Sequence, residues 1–200
     1  KLAKEWFNKA LDNGLAMFQG NLRNIYIDEG DFNNARRVAL TAAELGNPTM
    51  MLYTGLDCHE HGKFENAFTW FTKGAALGQA ESTAELADYY YHFYDAKELR
   101  RVIPYDPVKA IGLYRRAATK YFSDAGYAAL QAAFGYIFHI GHLPLDWGLI
   151  ADLTHMAATK ERFMFSLPYI GYMRIHGFGV TKNIRFGVQS LTRVLDEEKR

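Results

Sequence analysis

The segment CHEHG, residues 58–62, places one cysteine and two histidines within four positions. Such side chains could bind a metal ion or form an activated cysteine nucleophile. The predicted geometry argues against a metal, because on a helix His61 can share a face with Cys58 whereas His59 points about 100° away. Zinc requires three or four ligands that converge on one point. We therefore predict no metal site here, but a buried, unreactive Cys58 followed by histidines at a helix end.

The other polar residues do not form a catalytic pattern. The sequence contains no HExxH or CxxC motif, no GxSxG elbow and no glycine-rich phosphate loop after a strand. The acidic pairs Asp28-Glu29 and Glu197-Glu198 lie at predicted helix ends or near the terminus. They lack the opposing group that separates the pKa values of two carboxylates in a hydrolase. We predict that the chain is not an enzyme and needs no cofactor.

Composition limits the classes of partner. The 200 residues are 49% hydrophobic and 15% aromatic, which is enough to bury a sizeable core. A net charge of +1 gives no concentrated basic surface for nucleic acid. No apolar run approaches the roughly 18–20 residues that a membrane span requires. The single cysteine excludes an intrachain disulfide. The sequence begins with Lys1, and one interpretation is that an export signal has been removed.

A repeat along the chain shows which elements position these residues. The segments AKEWFNKALDNG (3–14), ARRVALTAAELG (35–46) and AFTWFTKGAALG (67–78) begin 32 residues apart and end in glycine. The pattern continues in AIGLYRRAATKY (110–121), IADLTHMAATKE (150–161) and, more loosely, GVQSLTRVLDEE (187–198). In each segment a small or apolar residue recurs seven positions later, with bulky residues between at helical spacing. Each segment predicts a helix with one packed stripe, and each closing glycine predicts a left-handed C-cap.

A second periodic element lies between these helices. Its copies are GNLRNIYIDEGDF (20–32), LYTGLDCHEHGKF (52–64), AELADYYYHFYDA (84–96), AAFGYIFHIGHLP (132–144) and PYIGYMRIHGFGV (168–180). Their register residues are Arg23, Gly55, Ala87, Gly135 and Gly171, followed three positions later by Tyr26, Cys58, Tyr90, Phe138 and Arg174. A small residue one turn before a larger one permits close helix packing. Each unit is therefore predicted to be a helical hairpin, and because one hairpin cannot bury its apolar stripe alone, the hairpins must stack.

The segment IGYMRIHGFGVTKN (170–183) resembles the Sel1-like repeat (SLR), a relative of the tetratricopeptide repeat. The SLR pattern is close to LGxxYxxGxGVxxD/N followed by KAxxWxxKAAxxG. Its first part is matched by Ile170-Gly171, Gly177, Gly179-Val180 and Asn183, and its second by AFTWFTKGAALG and LYRRAATK. Arg174 departs from the pattern because it replaces the aromatic residue, and the early units are only 32 residues long.

The resemblance implies an all-α, right-handed solenoid of stacked antiparallel helical hairpins. Residues 1–200 are predicted to form a single repeat domain. Its predicted parts are a half-unit 1–14 and hairpin units at about 15–46, 47–78, 79–121 with an insertion at 92–106, 122–161 and 162–200.

The resemblance also implies a binding surface. In tetratricopeptide repeats the positions after the small register residue face the concave side, and here histidines fall four or five residues after it in four of five units. Carried onto this sequence, the partner-binding residues are Asn24, Asp28, Leu56, His59, Glu60, Asp88, Tyr91, His92, Tyr136, His139, Tyr172 and His176. Aromatic area with polar tips favours recognition. Two alternatives stay open: the histidines interact with helix dipoles, or they form a proton switch.

Two further regions are candidates for contact with a partner. The third unit is about 11 residues longer than its predecessors and contains YYYHFYDAKELRRVIPYDP (89–107). Its predicted insertion-loop residues, Tyr94, Arg100 and Arg101, belong either to a recognition loop or to a longer hairpin. The N-terminal half-unit leaves an apolar face around Trp6 and Phe7, where further chain or another molecule would bind.

The resemblance implies a non-catalytic scaffold or adaptor that binds a protein or peptide partner. A second interpretation is an immunity protein that neutralises a secreted bacterial toxin. A third, from another class, is a metal- or glycan-binding envelope protein that uses the histidines and tyrosines. No nucleic-acid partner is predicted. The compartment is left open, with the bacterial periplasm or envelope favoured over the cytoplasm.

Overall fold

The structure, a computed structural model, describes residues 2–13, 19–92, 97–120, 124–159 and 166–197. These ranges contain α-helices, one short 3-10 helix and no strand. The chain divides into two compact units, Lys1–Tyr105 and Asp106–Arg200. The boundary falls inside the predicted third repeat, so the first helix of that repeat belongs to one compact unit and its second helix to the other.

The helices of the first unit are joined by short loops. They are α1 (Leu2–Asp12), α2 (Gln19–Asp28), α3 (Phe32–Glu44), α4 (Pro48–Glu60), α5 (Phe64–Ala76), α6 (Ala80–Tyr91) and α7 (Lys97–Val102). From α2 to α6, each helix packs against the next, and α7 packs against α5. Short connections between packed neighbours make successive helices antiparallel. The packed helix pairs α2–α3 and α4–α5 lie within the ranges predicted for the first two full units.

The second unit repeats this arrangement. Its helices are α8 (Pro107–Ala118), α9 (Ala125–Ile137), a 3-10 turn (Ile140–His142), α10 (Trp147–Thr159), α11 (Leu167–His176) and α12 (Ile184–Glu197). The helix α9 packs against both α8 and α10, and α11 packs against α12. The last two predicted hairpins are thus α9–α10 and α11–α12.

Side-chain caps explain where several helices begin. The Asp31 carboxylate accepts a hydrogen bond from the backbone N–H of Asn34 (3.1 Å), and the Asn47 side chain accepts one from Met50 (3.1 Å). Such caps pair N–H groups that have no partner within the helix. The side-chain and backbone hydrogen bonds from Asn34 also lower the pKa of Asp31. The predicted left-handed caps are confirmed at Gly46 (φ 94°) and Gly78 (φ 82°), while Gly14 lies outside the described residues.

Each unit has its own core of aliphatic and aromatic side chains. In the first unit it includes Leu22, Tyr26, Val38, Met50, Phe71, Leu86 and Tyr89, and in the second Ile111, Tyr114, Leu130, Ile150, Leu153 and Met173. Alanines fill the spaces between these side chains, as at Ala42, Ala67, Ala117 and Ala157. This matches the predicted stripe of small and bulky residues on each second helix.

The small register residues lie where helices cross most closely. A Cβ on Gly55 would lie 2.5 Å from the Phe71 ring, and one on Gly171 would lie 2.8 Å from the carbonyl oxygen of Gly187. A Cβ on Gly135 would collide with the Ile111 side chain. The predicted role of these glycines in close helix packing is confirmed. The first copy differs, since Arg23 is half-buried and its guanidinium lies 3.8 Å from the centre of the Tyr53 ring.

The residues three positions later are less uniform than the repeat predicts. Tyr26 and Tyr90 are buried as expected. Cys58 is only partly buried, and Phe138 is 64% exposed because α9 ends one residue before it. The prediction that Cys58 is a core residue is therefore wrong.

The N-terminal half-unit exposes part of its apolar face. Trp6 is 68% exposed, with the Lys9 ammonium 5.3 Å from its ring centre. Phe7 instead packs against the core of the first unit. Of the two residues predicted to form an uncovered face, only Trp6 remains open to solvent.

The two helical glycines Gly171 and Gly112 allow a matched test of this packing. We expect Gly171→Ala to destabilise the protein by about 1–3 kcal/mol, because the new methyl meets a backbone oxygen that cannot rotate away. Gly112→Ala should stabilise it by about 0.5–1 kcal/mol, because no atom lies within 4 Å of the added Cβ and alanine favours the helix. Urea unfolding followed by circular dichroism measures both. Equal effects of the two substitutions would contradict close packing at Gly171.

Candidate functional site

The four histidines predicted to form a row occupy different structural positions. His59 lies inside α4, His92 is the C-cap of α6, His139 follows the end of α9 and His176 is the last residue of α11. The helices end at different distances from their register residues, so equal spacing in the sequence does not give equal positions in space.

His59 is tied to the core of the first unit. Its Nδ1 is hydrogen-bonded to the Tyr89 hydroxyl at 2.8 Å, and its ring makes edge contacts with Phe64 and Tyr89. Tyr89 is fully buried and also contacts the Phe68 and Phe71 rings. Burial lowers the pKa of His59 and raises that of Tyr89, so both groups are neutral at pH 7. His59 therefore stabilises the junction between α4 and α6.

His92 and His139 adopt left-handed backbone conformations (φ 53° and 48°). Glycine takes this conformation after α4 and α11, at Gly62 and Gly177. The Nε2–H of His92 donates to the carbonyl oxygen of Ile103 at 2.8 Å, and Nδ1–H of His139 donates to that of Leu143 at 3.1 Å. Both side chains thus hold the turns in which they lie.

Two predicted contact residues are buried. Asp88 is 7% exposed and Tyr136 is 7% exposed, with the Tyr136 hydroxyl accepting a hydrogen bond from Nη1 of Arg115 (3.1 Å). Because each lies on the packed side of its helix, neither offers its side chain to a partner. Asp88 and Tyr136 therefore do not belong to the predicted binding surface.

The other predicted residues of the first unit are more accessible. Asn24, Asp28 and Glu60 are exposed, and Leu56 is partly exposed. Tyr91 is half-buried with its ring 6.2 Å from that of Tyr105, and burial raises its pKa.

The insertion folds back onto the first unit. Arg100 and Arg101 are exposed on α7, and Ile103 directly after α7 is buried. The hydrogen bond from His92 to Ile103 joins the two ends of the segment. Tyr94 lies outside the described residues. The described part of the insertion therefore has the character of a longer hairpin with a basic outer surface.

The CHEHG side chains bind different partners. His59 contacts Tyr89, whereas Nδ1–H of His61 donates to the Asp57 carbonyl oxygen at 2.7 Å. Burial, followed by the nearby Asp57 charge, raises the pKa of the Cys58 thiol. Within the described ranges, no three His, Cys, Asp or Glu side chains come together as metal ligands.

The first unit contains a groove of about 690 Å³ between α3 and α5, with α2 and α4 beneath. We call it the α3–α5 groove. Its apolar lining includes Phe32, Leu40, Tyr53, Leu56 and Trp70, of which Phe32 and Leu40 are 58% and 42% exposed. Clefts of about 300–1,000 Å³ bury ligands the size of several side chains.

The rim of the α3–α5 groove is charged, with an excess of cations. It carries four cationic side chains and two carboxylates, namely Arg23, Arg36, Arg37, Lys63, Asp57 and Glu60. Arg36 pairs with Asp57 at 2.6 Å. No described carboxylate forms an ion pair with Arg23, Arg37 or Lys63. The rim therefore keeps a net positive charge.

The predicted binding surface includes only part of this groove. Leu56 and Glu60 on α4 were predicted to contact a partner, but none of the lining residues on α3 and α5 was. The signal that could have revealed them is the pair Phe32 and Leu40, two apolar residues eight positions apart and outside the packed stripe of α3.

The second unit carries a different feature, an aromatic cluster on α10, α11 and the turn after α11. The Phe178 ring stacks on Trp147 at 4.6 Å and on His176 at 5.4 Å, and Tyr172 lies 4.4 Å from His176. Tyr172 is 51% exposed. A Cβ on Gly179 (φ 64°) would overlap the Trp147 carbonyl group, so only glycine lets this turn reach α10. The cluster thus contains two residues of the predicted binding surface, Tyr172 and His176, and two that the sequence analysis did not include, Trp147 and Phe178.

These observations define the class of the protein: an all-α repeat solenoid without strands in its described part. The Sel1 repeat model matches residues 1–15, 39–79, 80–121 and 169–189, which together exceed half of the chain. The chain belongs to the Sel1 repeat family. No curated protein sequence matches it significantly.

Solved structures show the same fold. A Sel1 repeat protein from Oxalobacter formigenes superposes with a TM-score of 0.72 at 20% identity, covering 98% of this chain and 78% of that one. A protective antigen of uropathogenic Escherichia coli with an SLR fold gives 0.70 at 19% identity, covering 96% of this chain. This chain spans 40% of the length of that antigen. A sel1 repeat protein described as putative, from Klebsiella pneumoniae subsp. pneumoniae, gives 0.51 at 19% identity, covering 97% of this chain and 92% of that one.

Membership of this family indicates the kind of function only in general terms. Sel1 repeats generally mediate protein–protein interaction and are generally non-catalytic scaffolds. No described helix is both long enough and apolar enough to cross a bilayer.

The lowered pKa of His59 predicts a pH-dependent stability. At pH values below the usual histidine pKa of about 6.5, His59 binds a proton in the unfolded chain that it does not bind in the folded chain. The stability of the protein should therefore fall as pH decreases from about 7 to 5. His59→Gln should make this slope shallower. Tyr89→Phe should lower stability by about 1 kcal/mol at every pH, because it removes one hydrogen bond, while keeping the slope. Urea midpoints at several pH values test this, and an unchanged slope in His59→Gln would disprove it.

Proposed function

We propose that this protein is a non-catalytic interaction module that binds a segment of a protein partner in the α3–α5 groove. The observation that carries the proposal is the groove itself, in which partly exposed Phe32, Leu40 and Trp70 line an open cleft. Apolar grooves between helices bind the apolar side chains of a partner segment. The general role of Sel1 repeats in protein–protein interaction supports a protein rather than a small molecule as the partner.

The charge of the rim indicates the chemistry of that segment. After Arg36 and Asp57 neutralise each other, Arg23, Arg37 and Lys63 outnumber the remaining carboxylate of Glu60. Complementary charge raises association rates and selects partners. The proposed occupant is therefore an amphipathic segment with apolar residues on one face and aspartate or glutamate at its edges.

Other predicted residues remain proposals as contacts. Asn24, Asp28 and Glu60 are exposed on α2 and α4, the helices that form the floor of the groove. Tyr172 and His176 are exposed in the second unit and would form a separate contact. An adaptor would use such contacts for several partners of moderate affinity, whereas a toxin-neutralising immunity protein would bind one partner tightly.

The exposed residue Leu40 allows a direct test. We expect wild-type protein to capture a partner from its native source, and Leu40→Asp to lose at least about tenfold in affinity, because a carboxylate would enter an apolar wall. Arg37→Glu should weaken binding mainly by slowing association. The affinity of this variant should also depend less on salt concentration than that of wild type. Affinity capture with mass spectrometry identifies the partner, and calorimetry with the purified partner measures the affinity.

Val188→Asp is the matched control. Val188 is 47% exposed within α12 of the second unit, so this variant adds the same charge to an exposed apolar site outside the groove. Its binding should equal that of wild type. If a partner binds the Leu40→Asp and Arg37→Glu variants as tightly as it binds wild type, the groove is not the binding site. Capture of one partner at nanomolar affinity would favour the immunity protein, and several weaker partners would favour the adaptor.

A further inference from the structure

Two rings of the first unit show how this chain covers accessible aromatic surface with its own cations. The Arg23 guanidinium lies 3.8 Å from the centre of the Tyr53 ring, and the Lys73 ammonium lies 4.4 Å from that of Trp70. Such contacts are attractive because the face of an aromatic ring carries partial negative charge. In both pairs the first unit itself supplies the cation.

The aromatic cluster of the second unit, which consists of Trp147, Tyr172, His176 and Phe178, has no such cation. Tyr172 is 51% exposed, His176 is also exposed, and Trp147 and Phe178 are partly exposed. Among the described residues, no lysine or arginine lies over any of these four rings. The cluster therefore offers accessible ring surface to a cation from another molecule.

The cationic side chains near the cluster do not occupy this surface. Arg174 lies on α11 with Tyr172 and His176, but its guanidinium lies over the Phe186 ring of α12 at 5.2 Å. Lys182, after the turn, is exposed to solvent. The exposed histidines of α10 and α11 are His155 and His176, and histidine carries no charge at about pH 8.

The carboxylates near the cluster also favour a cation. Asp146 directly precedes Trp147 and is exposed. Its Oδ1 accepts a hydrogen bond from the backbone N–H of Leu149 at 3.0 Å, and no described cation forms an ion pair with it. Asp152, exposed on α10, has no described ion-pair partner either. Carboxylates and ring faces are both complementary to positive charge.

The orientation of the rings favours arginine over lysine. The Trp147 and Phe178 rings are parallel to within 18° with their centres 4.6 Å apart, and the Phe178 and His176 rings are parallel to within 16° at 5.4 Å. The three rings form one stack, and the Tyr172 ring lies against its His176 end at 4.4 Å. A planar guanidinium can stack on such rings, whereas a lysine ammonium is a compact and strongly hydrated charge.

We propose that the aromatic cluster binds an arginine side chain of a protein partner. This inference rests on the proposed function in one respect, since it gives a chemistry to the separate contact of Tyr172 and His176. It does not depend on the α3–α5 groove, because the cationic rim of that groove repels arginine. A partner that uses both surfaces would carry acidic residues in one segment and arginine in another.

Titration with an arginine peptide tests the proposal on the unaltered protein. The probe is a capped peptide with two arginines separated by glycines, used at about pH 8, where histidine is uncharged. The chain has three tryptophans, so Trp6→Phe and Trp70→Phe identify the indole N–H signal of Trp147 by elimination in a ¹⁵N–¹H correlation spectrum. The peptide should shift this signal to saturation. A matched peptide with citrulline, which is planar but uncharged, should bind at least about threefold more weakly.

Matched variants locate the contact. Tyr172→Ala should weaken binding of the arginine peptide at least about threefold, whereas Tyr172→Phe, which keeps the ring, should bind as wild type does. Phe138→Ala removes a 64% exposed ring outside the cluster and should also bind as wild type does. Circular dichroism checks the fold of each variant. If Tyr172→Ala does not fold, the comparison of the arginine and citrulline peptides on wild type still decides the question.

Three results would overturn the proposal. The first is a Trp147 signal that does not respond to the arginine peptide at tens of millimolar. The second is equal binding of the citrulline peptide, which would show that positive charge plays no part. The third is tighter binding of a matched glutamate peptide. The groove variant Leu40→Asp should bind the arginine peptide as wild type does, so failure of the groove and failure of the cluster are distinguishable.

Discussion

The packing of this protein depends on close approach between neighbouring helices. At Gly171 and Gly187 the backbones of α11 and α12 come so near that an added Cβ on either would lie less than 3 Å from the other's carbonyl oxygen. At Gly55 the ring of Phe71 occupies the space that a side chain would take. Each hairpin thereby buries its apolar stripe against its partner, and the remaining faces are left to bind other groups.

Close packing also determines what the polar residues do. His59 is drawn into the aromatic cluster around Tyr89, where burial keeps it neutral. His92 and His139 lie past the ends of their helices and hold turns through hydrogen bonds to Ile103 and Leu143. Residues that look alike in the sequence therefore serve three local structures rather than one binding surface.

The accessible features differ between the two units. The first unit has an apolar groove with a cationic rim, formed jointly by the first and second helices of two hairpins. The second unit has an aromatic cluster around Phe178 and a small cavity beside Arg174. Family membership determines the fold and the general class of interaction, whereas these individual features depend on the side chains of this chain, which is only about a fifth identical to the similar solved structures.

The sequence by itself determined the helical repeat, the pairing of most helices and the need for small residues at Gly55, Gly135 and Gly171, because helical spacing and steric size are local properties. It also predicted that Cys58, His59 and His61 would not share a metal. Only the tertiary structure decided that Cys58 is partly exposed, that Asp88 and Tyr136 are buried, and that Phe32 and Leu40 line a groove. These outcomes depend on where each helix ends and on which helix packs over it, and both are set by contacts between residues that are far apart in the chain.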